Sequence, residues 1–336
     1  HGLMRGLRDE PFWIMEEQAG PSGWQTMSRA PKPGQLRLWA YQAIAHGADT
    51  LIYFRWRPAT GGTEQFHSGV VQHDGDARSR SYQEIKAIGQ EIERLRALSL
   101  AGSPIRSEVA ILRSFDQCRA LELYRGGKLL DYDAELRRYY RALWEMNIGV
   151  DVVHPEDDLA GYKIVLAPLM MMVKPGQAEI LRDYVANGGT LLTSFRLGAY
   201  DQDALVPTDT LPTDPLAELF GVEIHEYDCL MTDTDIDPTP LVSWQGEQYE
   251  ALVWADMLEA TTAKVLARYT NEWHAPYAAI TRNAFGKGQA IYVGAGMEPA
   301  FYRRFLDRVT KEAGIRPVLR TPEGVSAIER LVAGKP

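Results

Sequence analysis

The residues best equipped for chemistry come early: Glu16 and Glu17, adjacent carboxylates closing the apolar run Phe12-Trp13-Ile14-Met15. A Gly/Pro-rich loop follows them and carries Trp24, and Phe54, Trp56, Glu64 and His67 surround a later loop. These types suit a carbohydrate, whose C–H faces lie on aromatic rings and whose paired hydroxyls carboxylates accept. Cleaving a glycosidic bond takes two carboxylates, as nucleophile with acid/base or as base with acid. Side chains alternate along a strand, so only one of Glu16 and Glu17 can point at a site. Each residue also has an ordinary reading. Trp24 and Trp56 could be packing aromatics, His67 a loop cap, and Glu64 a solvated acid. Their joint placement after consecutive strand ends favours the site.

The elements that must position them read as follows. Pro11 to Gln18 is a short apolar run bounded by turn residues, which fits a strand buried on both faces. Pro33-Gly34 opens a helix with Leu36, Trp39, Ala40, Ala43 and Ile44 on one face, and Gly47 stops it. Thr50 to Phe54 is a second strand, and residues 55–67 form a polar, aromatic loop. Ser81 and Glu84 read as a capping box for a helix bearing Tyr82, Ile85, Ile88, Ile92 and Leu95. Strand, loop and helix repeated in this order predict a parallel sheet with its chemistry at the carboxyl edge. Two such units are too few to close a barrel.

Ala101 to Pro104 reads as a linker, and a second βα series follows. Strands are expected at 109–112, 150–153, 164–167 and 190–193, with helices at 131–146, from Pro175 to Asn187, and at 299–313. Residues 222–292 are strand-rich. This predicts an open, doubly wound, flavodoxin-like sheet. No phosphate-cradling loop occurs, since Gly286-Lys287-Gly288 lacks the P-loop lead-in and no G-x-G-x-x-G follows a strand.

Composition sets the class. With 336 residues, 45% hydrophobic and 24% charged, the chain can form two or more domains with sizeable cores. A net charge of −9 without a basic stripe excludes a general nucleic-acid binder. Cys118 and Cys229 lack metal-ligand spacing and read as buried thiols, so no metal and no cofactor are expected. No apolar run is long enough to span a membrane and no signal peptide opens the chain, so a cytoplasmic protein without membrane partners is expected.

Several of these motifs, in this order, resemble one family. Phe12-Trp13-Ile14-Met15-Glu16-Glu17-Gln18 with Gly20-Pro21 and Trp24 is similar to the nucleophile strand of glycoside hydrolase family 42, the β-galactosidases. Leu38-Trp39, Ala45-His46-Gly47-Ala48-Asp49, Tyr53-Phe54-Arg55-Trp56-Arg57 and Glu64-Gln65-Phe66-His67-Ser68-Gly69 continue the likeness. The resemblance covers essentially the whole chain, and residues 3–69 are its specific part. It implies a retaining β-galactosidase acting on β-galactosides, with Glu16 as nucleophile. Trp24, Glu64 and His67 match residues lining the galactose pocket, and Phe54 forms a wall. It further implies the last two βα units of a (β/α)8 TIM barrel at 1–98. A flavodoxin-like, class I glutamine amidotransferase-like trimerisation domain spans 99–316, and a truncated small β domain starts at 317–336. A homotrimer is expected.

The chain departs from the family at Gly23, usually Asn, at Ala19, commonly Pro, and at Glu17, commonly Gln. The family's acid/base glutamate follows an Asn on an earlier strand, and no Asn-Glu pair precedes Glu16. The chain is therefore read as a C-terminal portion, inactive alone, and any cysteine-bound zinc would lie outside it. Two rivals are a non-catalytic oligomerisation or sugar-binding module, and a flavodoxin- or amidotransferase-like domain with its own ligand, which predicts a bound flavin or a reactive Cys118.

Overall fold

The computed structural model describes residues 1–8, 10–22, 28–123, 130–208, 210–230 and 238–333. The chain divides into two compact units, His1–Arg106 with Ala327–Pro336, and Ser107–Ser326.

The first unit opens with helix α1 (Gly2–Gly6) and strand β1 (Phe12–Gln18), followed by α2 (Gln35–Ala45), β2 (Ala48–Phe54) and α3 (Arg80–Leu95). β1 and β2 pair in parallel. A parallel pair needs a crossover, and α2 supplies it. Leu36 and Ala40 of α2 meet Ile88 of α3 in a small core, with Trp39, Leu51, Ile85 and Ile92 packed on it. Those positions recur three and four apart, so each helix turns one stripe to the sheet. The opposite sheet face is bare. Trp13 and Met15 are each 60% exposed, and Ile52 is 38% exposed.

One expected cap moves. α3 starts from Ser79, whose extended backbone precedes the first turn and whose Oγ accepts the Tyr82 N–H at 3.1 Å. Ser81 lies inside the helix, and its hydroxyl is instead paired with that of Ser79 at 3.2 Å. Glu84 bonds Arg80 and the Arg37 N–H, so it is not free to close a capping box.

The chain's end returns to this unit. Arg330 pairs with Ile105 in an antiparallel bridge, and its nearly buried guanidinium donates to the carbonyls of Ile44, Leu100 and Ser103. The same group sits 3.2 Å from the Asp49 carboxylate just inside β2.

The second unit runs β3 (Val109–Leu112), α4 (Phe115–Leu123), α5 (Tyr132–Glu145), β4 (Val150–Val153), β5 (Ile164–Ala167), α6 (Gln177–Ala186), β6 (Thr190–Ser194) and α7 (Leu216–Phe220). Strands β7 (Val222–Cys229), β8 (Leu241–Trp244), β9 (Glu247–Ala260), β10 (Lys264–Tyr269), β11 (Ala278–Phe285), β12 (Gly288–Val293) and β13 (Ala295–Met297) precede α8 (Pro299–Glu312). The parallel strands lie in the order β4-β3-β5-β6-β12, with the first strand of the series second in space. That is a doubly wound order. β11, β10, β8, β9 and β13 widen the sheet, and β7 adds to β9.

Successive residues of β3 divide between two cores. Val109 and Ile111 join Leu136, Tyr139 and Phe305, whereas Ala110 and Leu112 join Leu181, Val185 and Phe220. Helices therefore cover both faces, which is why these strands read as unbroken apolar runs. α5 is capped by Asp131, whose Oδ1 accepts the Ala134 N–H at 2.9 Å. α6 starts two residues after Pro175, with Gly176 at its cap, so the proline lies outside the first turn.

Candidate active site

Pairing of β1 with β2 decides between the two glutamates. Ile14 pairs with Leu51 and Glu17 with Tyr53, so three steps of β1 are matched by two of β2. The extra residue is a bulge, which resets the alternation of side chains. Leu51 packs on the helical core, and Tyr53, two residues on, shares its face. Glu17 goes with Tyr53 and is buried, at 9% exposed. Glu16 is exposed and lines a cavity of about 170 Å³ at the carboxyl end of both strands.

The cavity is bordered by the stretch from Glu16 to Ser22 on one side and by Phe54, His67 and Ser68 on the other. Phe54 ends β2, and its ring meets that of the buried His67 edge-on, centroids 6.2 Å apart. Two loops are laced together to bring this about. Ser68 donates its N–H to Pro21 at 2.9 Å, and Gln18 reaches the Gly20 carbonyl. Gly20 is required by close approach, because a Cβ there would lie 2.7 Å from that of Ser68. Beyond the cavity, the Val70 and Val71 N–H groups close on the Arg55 and Trp56 carbonyls at 2.7 and 2.9 Å. His73 then bridges the carbonyls of Ala59 and Gln65.

The electrostatics separate the two carboxylates further. Burial pushes the Glu17 carboxyl above its usual range. The Tyr53 hydroxyl is raised as well, first by burial and then by the charges of Glu17 and Glu84. Glu17 is thus a desolvated carboxyl at the edge of the cavity, while Glu16 is the exposed carboxylate of a lining that also holds the Phe54 ring and the His67 imidazole.

Of the residues expected from the sequence, Glu16, Phe54 and His67 line one cavity. Glu64 is not among its lining residues. It lies on the same loop, accepts the His67 N–H on its carbonyl at 3.0 Å, and pairs its carboxylate with Arg55 at 3.6 Å. Trp24 lies outside the described residues. Gln18, Ser68 and Arg55 were not singled out from the sequence. The signal available for Arg55 was its position directly after a strand end, between two aromatic residues.

Among the described residues no group of three or more His, Cys, Asp or Glu is placed to hold a metal ion. No helix is long and apolar enough to cross a membrane among them. In the second unit Cys118 and Cys229 form no disulfide and are half-buried rather than buried as expected. The Cys118 thiol is raised above its usual range, mainly by burial, which leaves little thiolate.

The chain is similar to known proteins of one family along its length. Residues 1–95 match the family model described as "Beta-galactosidase", and residues 107–316 match the family's "Beta-galactosidase trimerisation domain". A β-galactosidase of Geobacillus kaustophilus is 38% identical over 330 residues, 98% of this chain and 48% of the relative. One from Planococcus sp. is 35% identical over 340 residues, 100% of this chain and 50% of the relative. The crystal structure of β-galactosidase from Bacillus circulans sp. alkalophilus superposes with a TM-score of 0.93 at 35% identity. It covers 98% of this chain and 49% of that one. The chain therefore spans about half the length of the curated relatives it matches.

Proposed function

Because the chain belongs to glycoside hydrolase family 42, we propose that it carries the nucleophile half of a retaining β-galactosidase site. The observation behind this reading is the bulge that leaves Glu16 exposed at the cavity walled by Phe54 and His67 while the neighbouring Glu17 is buried. The Glu16 carboxylate attacks the anomeric carbon of a terminal β-D-galactoside and forms a covalent galactosyl intermediate. A second carboxyl about 5–5.5 Å away must protonate the leaving oxygen and later activate water. Glu17 faces the helices and cannot serve, so the partner comes from sequence beyond this stretch. The 336 residues alone are inactive on this reading.

Phe54 carries the apolar face of the sugar, and Glu64, His67 and Trp24 take its hydroxyls and its edge. The bare face bearing Trp13, Met15 and Ile52 supports a barrel interior, since parallel strands are covered on both sides in finished folds. Residues 1–98 are then the last two βα units of a (β/α)8 barrel. Residues 99–316 form a flavodoxin-like trimerisation domain, for which the strand order β4-β3-β5-β6-β12 is the support. Residues 317–336 begin a small β domain, and the assembly is a homotrimer.

The test is Glu16→Gln in the full-length polypeptide, assayed with 4-nitrophenyl β-D-galactoside. Turnover is expected to fall roughly 10⁴-fold, about 5 kcal/mol of barrel-site transition-state stabilisation. A 2-deoxy-2-fluorogalactosyl reagent should label the peptide containing Glu16. Turnover within about tenfold of wild type, or a label on another peptide, refutes the assignment.

A further inference from the structure

Arg55 is the first residue beyond β2, and three separate contacts converge on it. Its carbonyl accepts the Val70 N–H at 2.7 Å, which closes the loop carrying Glu64 and His67. Its guanidinium carbon lies 5.0 Å from the centroid of the Phe54 ring, the apolar wall of the cavity. Its Nη1 lies 3.6 Å from Glu64 Oε2 and is buried without a closer hydrogen-bond acceptor among the described residues. The side chain is 28% exposed, and that of Glu64 is 35% exposed. A cation stacked on a ring gives up little rotational freedom when it also holds a carboxylate, because the planar group is already fixed.

We propose that Arg55 is a positioning residue for galactoside binding, holding the Glu64 carboxylate through a guanidinium seated on Phe54. This rests on the galactosidase reading above and extends it to a residue that does not itself line the cavity. One side chain then contacts the ring that walls the cavity and, through charge, the carboxylate on the loop beside it. Glu64 is kept oriented to accept hydroxyls, instead of swinging into solvent as an unrestrained loop acid does. A lysine keeps the charge but loses the flat stacking surface. The partly exposed pair has modest strength, so the effect is one of orientation and falls on binding.

A double-mutant cycle in the full-length enzyme tests this. Arg55→Met should raise KM for 4-nitrophenyl β-D-galactoside about fivefold to tenfold while kcat changes less than about twofold, the pattern of lost uniform binding. Arg55→Lys should recover part of that loss. In a Glu64→Gln background, adding Arg55→Met should change KM less than about twofold, since the two residues act as one unit. Additive losses, or a KM for Arg55→Met within about twofold of wild type, overturn the proposal. Amide exchange of residues 64–68 in the unliganded enzyme reads the tether without substrate. Arg55→Met should speed it about tenfold, and unchanged exchange overturns the proposal. Faster exchange in an enzyme whose wild type cleaves no galactoside overturns the galactosidase reading and leaves the tether.

Discussion

Replacing Gly69 by alanine puts the loop closure to a quantitative test. Gly69 follows His67 and Ser68, which line the cavity, and precedes the two N–H groups that lock the loop. An added Cβ would lie 2.8 Å from Pro58 Cδ, 2.9 Å from the Trp56 oxygen and 3.0 Å from the Arg55 oxygen. Ordinary contact begins near 3.4 Å, so the methyl is roughly half an ångström too close to three groups at once. None is the end of a flexible side chain. Overpacking of this kind costs about 1–3 kcal/mol. Relief by moving the strand of loop would stretch the bonds from Val70 and Val71, worth about 1 kcal/mol each. We expect a total of about 2–4 kcal/mol, seen as loss of about 10 °C or more in the unfolding midpoint of this unit. His67 would shift with the loop, and misplacement near 1 Å can cost up to about 100-fold. The expected fall in kcat/KM is therefore about tenfold, measured on the full-length enzyme beside differential scanning calorimetry. A variant within about twofold in kcat/KM and about 1 °C in midpoint would show that the loop is not held by this closure.

Two further substitutions follow from buried carboxylates. The Glu17 carboxyl is raised above its usual range by burial, so the folded state holds that proton more tightly than the unfolded chain. Its contribution to stability is complete below about pH 4.5 and is lost as pH rises through the folded value. Glu17→Gln should thus stabilise at neutral pH, with the midpoint difference shrinking toward pH 4, and leave kcat within about threefold. A difference independent of pH would refute the burial of an ionisable Glu17. Asp256, 1% exposed, accepts from Trp254 Nε1, the Tyr292 hydroxyl and the Arg196 N–H. Asp256→Asn turns one acceptor into a donor against these donors and should cost about 2–4 kcal/mol, read by denaturant unfolding, with an unchanged midpoint as the refuting result.

Local rules read from the sequence located the elements of the first unit. The three-and-four spacing of Leu36 with Ala40, and of Ile85, Ile88 and Ile92, recurs in the core that covers the sheet. The apolar runs at 109–112, 164–167 and 190–194 are strands covered on both faces, as their lack of alternation required. Residue type and order near Glu16 also brought forward three residues that share a cavity. These features depend on neighbours a few positions apart, and the sequence states such neighbours directly.

Tertiary structure decided the rest because the deciding partners are distant in the chain. Strict alternation along β1 would place Glu16 with Ile14, yet the bulge against β2 breaks that phase and reverses which glutamate is buried. A bulge is a mismatch between two strands, so neither strand's sequence contains it. Ser79 caps α3 in place of Ser81 because the backbone turns two residues earlier than the motif suggests. Glu64 finds Arg55 only once the loop folds back over β2, and Arg330 finds Asp49 from the far end of the chain. The sequence by itself determined that a strand end bearing two adjacent carboxylates was present, since strand and loop chemistry are local. Which carboxylate is buried and which is exposed, and what holds their neighbours, is set by contacts between distant parts of the chain.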